Sequence, residues 1–287
     1  MRARAGLDAP FERGSDPMRF INQKPGPALR IFLTLVPFVL VLIAYTIGSE
    51  IRLAANPQDK LLPSLGTIGE TAQRLLTEGD RRSGRILFWY DTAISLRRLG
   101  IGVGLAALTG LIFGLLIGLL PHVRAAFGGF VAVVSMIPPL AVLPILFILF
   151  GLGEVSKIVL IFVGITPFLI RDLAQRTIEI PSEQIVKAQT LGASSFVILA
   201  RVALPQVLPR LIQSVRLSLG PAWLFLIAAE AIASDLGLGY RIFLVRRFLA
   251  MDVILTYVIW ITLLAFLIDL GLRTLSRRAF PWSEGGL

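Results

Sequence analysis

The 287-residue chain contains no cysteine and a single histidine, His122. Without cysteine it can form no disulfide, no thiolate metal site and no cysteine-ligated iron–sulfur cluster. One histidine excludes a bis-histidine haem within the chain and most histidine-based metal sites. We therefore expect this chain to hold no metal and no cofactor, and His122 is interpreted as a loop residue without a ligand role.

The sequence also lacks the motifs by which proteins hold ATP or a catalytic zinc ion. G-x-x-x-x-G-K-[ST] and H-E-x-x-H do not occur, and GLGEVSK at 151–157 has the wrong spacing for a Walker loop. No pairing of a nucleophile with a base is apparent. We expect the chain not to be an enzyme, so any ATP hydrolysis that drives it must belong to another subunit.

Charged residues are scarce at 16%, whereas 55% of the chain is hydrophobic and the mean hydropathy is +0.80. This composition predicts an all-α polytopic membrane protein. The formal net charge of +10 could indicate a nucleic-acid partner. In a membrane protein, however, lysine and arginine collect at helix ends and on the cytoplasmic face, so we expect a lipid membrane and no nucleic acid.

About six apolar segments are predicted to cross the membrane, at 31–48, 95–120, 127–150, 156–173, 213–233 and 253–272. Residues 1–30 form a polar, basic tail, 31–272 form the transmembrane domain, and 273–287 form a second basic tail. An amphipathic helix is predicted at 67–77 and an interfacial or re-entrant segment at 234–252. Six crossings place both tails on one side, and the distribution of lysine and arginine modestly favours the cytoplasm.

The third predicted span contains Pro138, Pro139 and Pro144, which remove three backbone donors. In lipid, the carbonyl groups freed in this way are tolerated only against other helices or a water-filled cavity. Ser135, Met136, Pro138 and Pro139 are therefore candidates for a solute pathway. A simple packing kink is the alternative.

In the second predicted span, glycines recur every four residues, at Gly110, Gly114 and Gly118. This stripe predicts close packing against another helix rather than a contact with solute. Arg97 and Arg98 lie at the entrance of the span and are expected to extend toward the interface.

Glu230 is the one acid found deep in an apolar segment, where an ionisable group is costly unless it faces protein or water. We expect it to serve helix packing or gating rather than direct contact with a solute. Asp269 and Arg273 are four residues apart near a helix end, so they are expected to form an interfacial pair.

The segment 183–204, here called the elbow, predicts two short helices joined at a glycine. Ser182 is the expected N-cap of the first helix, and Gly192 ends that helix in a left-handed conformation. Ser194 caps the second helix, and Pro205 is expected to end it. The second helix has one apolar face, formed by Phe196, Leu199, Ala200 and Ala203.

Such an apolar face on the second helix needs a cover, which a partner protein or the headgroup layer could supply. An ordinary connecting loop is the simpler reading.

An ordered series of motifs carries a family resemblance: LGAS at 191–194, LPQVLP at 204–209, Arg216–Leu217, AW at 222–223 and AE at 229–230. The series resembles the cytoplasmic loop of ABC importer permeases, most closely the nitrate/sulfonate/taurine/bicarbonate class. The resemblance implies the type I ABC importer permease fold, with residues 175–212 as the coupling loop and the elbow seated in a groove of an ATPase subunit.

The implied ATPase contacts are Lys187, Ala188, Leu191, Gly192, Ala193, Ser194 and Phe196. The family's Glu-Ala-Ala is replaced here by Val186-Lys187-Ala188, so a base stands where the family has acidic character. Trp223 and Glu230 match the AW and AE motifs and join Ser135, Met136, Pro138 and Pro139 as candidates for the translocation pathway.

The resemblance further implies a second copy of the chain, two ATPase subunits that hold ATP and magnesium, and a periplasmic or extracellular solute-binding protein. It places the chain in the bacterial inner membrane with both termini in the cytoplasm. The solute would be a small organic or inorganic anion such as a sulfonate, taurine, nitrate or bicarbonate. A secondary transporter, which would need buried coupling carboxylates, and a membrane anchor subunit of another complex are the alternatives.

Overall fold

A computed structural model describes residues 25–57, 59–80 and 84–286, and the regular elements within these ranges are helical. Residues 1–24 of the predicted tail at 1–30 lie outside the described residues. The helices are α1 (Pro27–Ala55), α2 (Leu65–Thr77), α3 (Leu87–Leu119), α4 (Pro121–Val134), α5 (Pro139–Phe150), α6 (Glu154–Ile178), α7 (Ser182–Thr190), α8 (Ser195–Ile198), a π-helical turn (Leu199–Ala203), α9 (Leu204–Ala233), α10 (Leu238–Arg246), α11 (Met251–Ala279) and a 3-10 turn (Pro281–Gly286).

The chain divides into two compact units, Met1–Pro57 and Gln58–Leu287. In the first unit, α1 has 29 residues, begins with a proline in its first turn and contains the predicted span 31–48. At 1.5 Å per residue, its length of roughly 44 Å exceeds the hydrocarbon thickness of a bilayer. It ends at Ala55, where the backbone N–H of Asn56 donates to the carbonyl of Arg52.

In the second unit, α3 packs closely against α6 along the predicted glycine stripe. A Cβ placed at Gly110 would lie 2.8 Å from Cβ of Leu169, and one placed at Gly114 would lie 2.6 Å from Cβ of Leu173. Both numbers advance by four from one contact to the next, so the two helices run parallel. The prediction that this stripe serves helix packing is confirmed, since any larger side chain would push the helices apart.

Because α3 and α6 run in the same direction, the chain between them must cross the membrane in the opposite direction. Helices α4 and α5 form this intervening crossing. The chain bends by 94° at the break between Val134 and Pro139. The two helices are long and apolar enough to cross a membrane only when they are taken together as one broken span. The break falls at the Pro138–Pro139 dipeptide, as expected. Pro144 lies inside α5 without ending it, because one missing donor is tolerated where Leu143 and Leu146 on either side are buried against other helices.

The segment after the elbow differs from the prediction. Pro205 does not end a helix, since α8, the π-helical turn and α9 form one helical stretch, Ser195–Ala233. In the π-helical turn, the N–H of Leu204 donates to the carbonyl of Leu199, five residues back. This wider turn accommodates the proline ring at the point where it would collide with a preceding carbonyl in a regular helix.

Shorter elements complete the second unit. The predicted amphipathic helix is α2, and Ser64 caps it by accepting from the N–H of Thr67 at 3.1 Å. The predicted interfacial segment contains α10, which has nine residues and is too short to cross a bilayer. The loop expected at His122 is wrong, because α4 begins at Pro121 itself, a favoured first helical residue. His122 therefore lies on a helix.

Within the described ranges, five helices are long and apolar enough to cross a membrane, and the bent pair makes six. The predicted all-α polytopic architecture with about six crossings is confirmed. One end of the second unit carries the starts of α3 and α6 and the end of α9. The opposite end carries the elbow.

Candidate coupling and translocation sites

The elbow has the predicted helix–glycine–helix form. Helix α7 ends at Thr190, and Gly192 has a φ of +81°, the left-handed region that favours glycine. The predicted cap at Ser194 is present, and its hydroxyl accepts from the N–H of Val197 at 3.4 Å. The start of α7 differs by one residue from the prediction: Pro181 is the N-cap and offers no side-chain cap hydrogen bond, and Ser182 is already the first helical residue.

Among the large apolar side chains of the elbow, two are far more exposed than the others. Leu191 is 87% exposed and Phe196 is 76% exposed, one on each side of Gly192. The apolar face predicted for the second helix divides, because Ala203 is buried while Phe196 is not. Leu191 and Phe196 are five positions apart on either side of the bend, so both side chains are available for contact with a partner or with the headgroup layer.

Behind this surface, the elbow is anchored to the long helices. Ala203 and Val207 are buried in one apolar cluster with Leu115 of α3 and Leu173 of α6. A side-chain hydrogen bond joins Gln206 to Gln184 of α7 at 2.9 Å. A force applied at the exposed face would therefore reach α3, α6 and α9 through close-packed side chains.

The predicted ATPase contacts lie together on this one segment. Lys187, Leu191, Gly192, Ser194 and Phe196 are exposed, and Ala188 and Ala193 are half-buried. The basic Lys187 lies in the last turn of α7, at the same end as Leu191. The surface thus combines two apolar side chains with one positive charge.

A second candidate site lies at the break between α4 and α5. A cavity of about 650 Å³ is bordered there by Ser135 and Pro139 on one side and Arg171 of α6 on the other. Nη1 of Arg171 donates to Oγ of Ser135 at 2.9 Å. The guanidinium of Arg171 thus lies at the helix break, a position that the local sequence patterns did not indicate. The signal available was a basic residue within an apolar run.

The other predicted pathway residues are placed differently. Met136 is exposed next to the break, and Pro138 forms the N-cap of α5. Trp223 and Glu230 are buried in α9 and do not line the cavity. Nε1 of Trp223 has no hydrogen-bond partner among the described residues.

Glu230 belongs to a buried ionic network at the end of the helices opposite the elbow. Its Oε1 lies 2.7 Å from Nη1 of Arg98, it accepts from Oγ of Ser95 at 2.7 Å, and the N–H of Gly239 donates to its Oε2 at 2.9 Å. Arg98 also donates from Nε to Glu154 at 2.8 Å.

The expectation that Arg98 extends toward the interface is wrong, since its side chain is 2% exposed. Two carboxylates supply the charge that makes its burial tolerable. Glu230 is also not the only deep acid. Asp91 is fully buried, accepts from the N–H of Gly237 at 2.8 Å and pairs with Arg241.

The predicted pair of Asp269 with Arg273 is replaced by a contact between helices. Nε and Nη2 of Arg216 donate to the two carboxylate oxygens of Asp269 at 2.7 and 2.9 Å. A guanidinium that approaches a carboxylate edge-on makes two parallel hydrogen bonds. Asp269 therefore pairs with Arg216 on the other helix rather than with Arg273 on its own helix.

Comparison with known proteins gives a consistent result. Residues 108–281 match the family described as binding-protein-dependent transport system inner membrane component. The chain is 39% identical to the taurine transport system permease protein TauC of Escherichia coli (strain K12) over 68% of this chain and 70% of TauC. It is 31% identical to the putative aliphatic sulfonates transport permease protein SsuC of Bacillus subtilis (strain 168) over 91% and 92% of the two chains.

A third relative is the bicarbonate transport system permease protein CmpB of Synechococcus elongatus, which is 33% identical over 75% of this chain and 78% of CmpB. Among solved structures, the fold is similar to a chain of the MetNI methionine ABC transporter in an inward-facing conformation. The TM-score is 0.60 at 22% identity, and the match covers 67% of this chain and 95% of that one.

Proposed function

Because this chain belongs to the binding-protein-dependent transport system inner membrane component family, as an ABC importer permease of the nitrate/sulfonate/taurine/bicarbonate class, we propose that it forms the pathway for a small oxyanion and is driven by a separate ATPase docked at the elbow. The observation that carries the proposal is the exposed pair Leu191 and Phe196, backed by the buried cluster that joins the elbow to α3, α6 and α9.

The elbow supports a mechanical role. An ATPase groove that covers Leu191 and Phe196 would hold both short helices, and closure of two ATPase subunits would move them together. Since Ala203 and Val207 pack with Leu115 and Leu173, the movement passes to the ends of α3 and α6. Lys187 would meet an acidic residue in this groove, in place of the acidic character that the family places on the permease.

The orientation follows from the coupling role. An ATPase works in the cytoplasm, so the end of the second unit that carries the elbow is the cytoplasmic end in the bacterial inner membrane. Six crossings then place both termini in the cytoplasm. The opposite end, with Arg98 and Glu230, faces the side from which a solute-binding protein delivers its cargo. A second copy of the chain completes the pathway.

The cargo is an oxyanion in this proposal. The relatives are named for taurine, aliphatic sulfonates and bicarbonate, and each of these bears a sulfonate or carbonate oxyanion group. The cavity at the helix break offers the guanidinium of Arg171 as a donor for such a group. Ser135 helps to position this guanidinium, because its Oγ accepts from Nη1 of Arg171 at 2.9 Å while its own proton goes to the carbonyl of Ala132. Arg171 would contact the solute briefly, since a pathway must release what it binds.

The test uses the full complex with its ATPase and binding protein in proteoliposomes, supplied with radiolabelled taurine, an alkanesulfonate and bicarbonate. The double variant Leu191→Ala/Phe196→Ala should lose ATPase co-purification and ATP-driven uptake at unchanged expression. Phe266→Ala is the matched control, because Phe266 is also an exposed aromatic but lies on α11. Full uptake by the elbow variant, or uptake without ATP, would overturn the coupling role.

A further inference from the structure

A second cavity, of about 460 Å³, lies between the first half of α9 and the last turns of α11, and arginine dominates its lining. The charged and polar side chains of its lining include Arg210, Gln213, Arg216, Arg273, Ser276 and Arg277. Arg210 and Arg216 come from α9, whereas Arg273 and Arg277 come from α11. The cavity is distinct from the one at the helix break and from the exposed surface of the elbow.

The lining is basic because four of its side chains are arginines. None of its described residues is acidic, and the neighbouring carboxylate of Asp269 is bound to Arg216 through both oxygens. Arg210 and Arg273 are exposed. Like-charged guanidinium groups that converge from two helices repel one another, so a bound anion would stabilise the arrangement.

The position along α11 fixes the depth of the cavity. Residues 253–268 carry no charge, Asp269 is the first charged residue after them, and Arg273 follows one turn later. Just beyond the end of α11, the rings of Phe280 and Trp282 meet edge-to-face at 5.4 Å, and Trp282 is exposed. Tryptophan is enriched at the headgroup level of a bilayer, so Trp282 indicates that this end of α11 lies near the interface.

We propose that this cavity binds the phosphate group of an anionic phospholipid, with Arg210 and Arg273 as its principal donors. A guanidinium offers two parallel N–H groups to phosphate oxygens, and the side chains of Gln213 and Ser276 add neutral donors. A bound headgroup would join α9 to α11 just below the elbow. Binding of a headgroup here requires only that α11 crosses the membrane, so it does not depend on the solute or on the docking of an ATPase.

In the experiment, the full chain is stripped of lipid in neutral detergent. It is then titrated separately with phosphatidylglycerol, phosphatidylcholine and inorganic phosphate, and the three titrations are compared. Lipid retention is read by native mass spectrometry and thermal stability by a melting curve. Phosphatidylglycerol should bind and raise the Tm, whereas phosphatidylcholine should do neither. Arg210→Gln/Arg273→Gln should weaken phosphatidylglycerol binding about 25-fold, from roughly fivefold per arginine at a membrane surface.

Arg246→Gln/Arg247→Gln is the matched control, because it removes two exposed arginines near α10 and should leave binding unchanged. Arg210→Lys/Arg273→Lys keeps the charge but loses the paired donors, so its affinity should fall between wild type and the glutamine variant. Equal binding of the two lipids by the wild-type chain would overturn the proposal, whatever the variants do. Saturation by inorganic phosphate with no preference for phosphatidylglycerol would also overturn it, as a free-anion site.

Discussion

Replacing Glu230 with glutamine tests whether the buried ionic network holds one end of the helices together. Glu230 is fully buried, and its partner Arg98 is 2% exposed. Glu230→Gln keeps the shape and one carbonyl oxygen for Ser95 or Gly239 but removes the charge. Breaking a buried ion pair costs about 3–5 kcal/mol, because the remaining charge stays in a medium that solvates it poorly.

The expected loss lies at the lower end of that range, since Arg98 keeps Glu154 as a second carboxylate. For a chain of this size, about 3 kcal/mol corresponds to a Tm lower by roughly 6–12 °C. The assay is reversible unfolding in mixed micelles, followed by the fluorescence of the tryptophans. Expression is compared beforehand by the yield of purified protein, and folding is checked by circular dichroism. Both the yield and the spectrum should match those of the wild type.

Asp269→Asn is the matched control, because it removes the charge from an ion pair whose side chains are 28% and 39% exposed. Exposed pairs contribute about 0–1 kcal/mol, so this change should cost far less. Arg98→Met/Glu230→Met should recover part of the loss, since it leaves neither member of the pair as a buried charge. Equal losses for Glu230→Gln and Asp269→Asn would refute the assignment of a structural role to the buried pair.

Three further changes test other parts of the chain. Gly192→Ala places a side chain at a φ of +81°, so it should cost about 1 kcal/mol in the elbow and reduce ATP-driven uptake; unchanged uptake would contradict the need for this bend. Gly110→Leu should lower the free energy of unfolding by roughly 1–3 kcal/mol because α3 and α6 must separate, whereas Gly104→Ala, with nothing within 4 Å, should be neutral; equal melting curves would argue against the packing. Arg171→Gln should slow uptake of a sulfonate while ATPase co-purification stays normal, and loss of both together would point to misassembly instead.

Local patterns in the sequence were sufficient for much of the architecture. The left-handed Gly192, the cap at Ser194 and the stripe through Gly110 each follow from rules that act over four residues or fewer. The break at Pro138 and Pro139 follows in the same way. The six crossings follow from the length and composition of the apolar segments, which the bilayer constrains directly.

Contacts between distant segments could not be read in this way. Arg98 and Glu230 are 132 residues apart, and nothing local to either residue indicates that the other will neutralise it. Asp269 had a plausible neighbour in Arg273, but the geometry of Arg216 across two helices was stronger. At Pro205, the rule that proline ends a helix failed because a π-helical turn absorbed the ring. The position of Arg171 at the helix break required knowledge of where α4 bends.

The unbroken stretch Ser195–Ala233 has a consequence for how movement crosses the bilayer. At 1.5 Å per residue, its 39 residues extend for about 58 Å, which is longer than the membrane is thick. The exposed Phe196 lies at one tip of this rod, and the clamped Glu230 lies near the other. A tilt imposed on the first tip swings the far tip in the opposite direction around whatever fulcrum the middle provides. A single helix can thus transmit movement at Phe196 to the buried carboxylate of Glu230 at its far end.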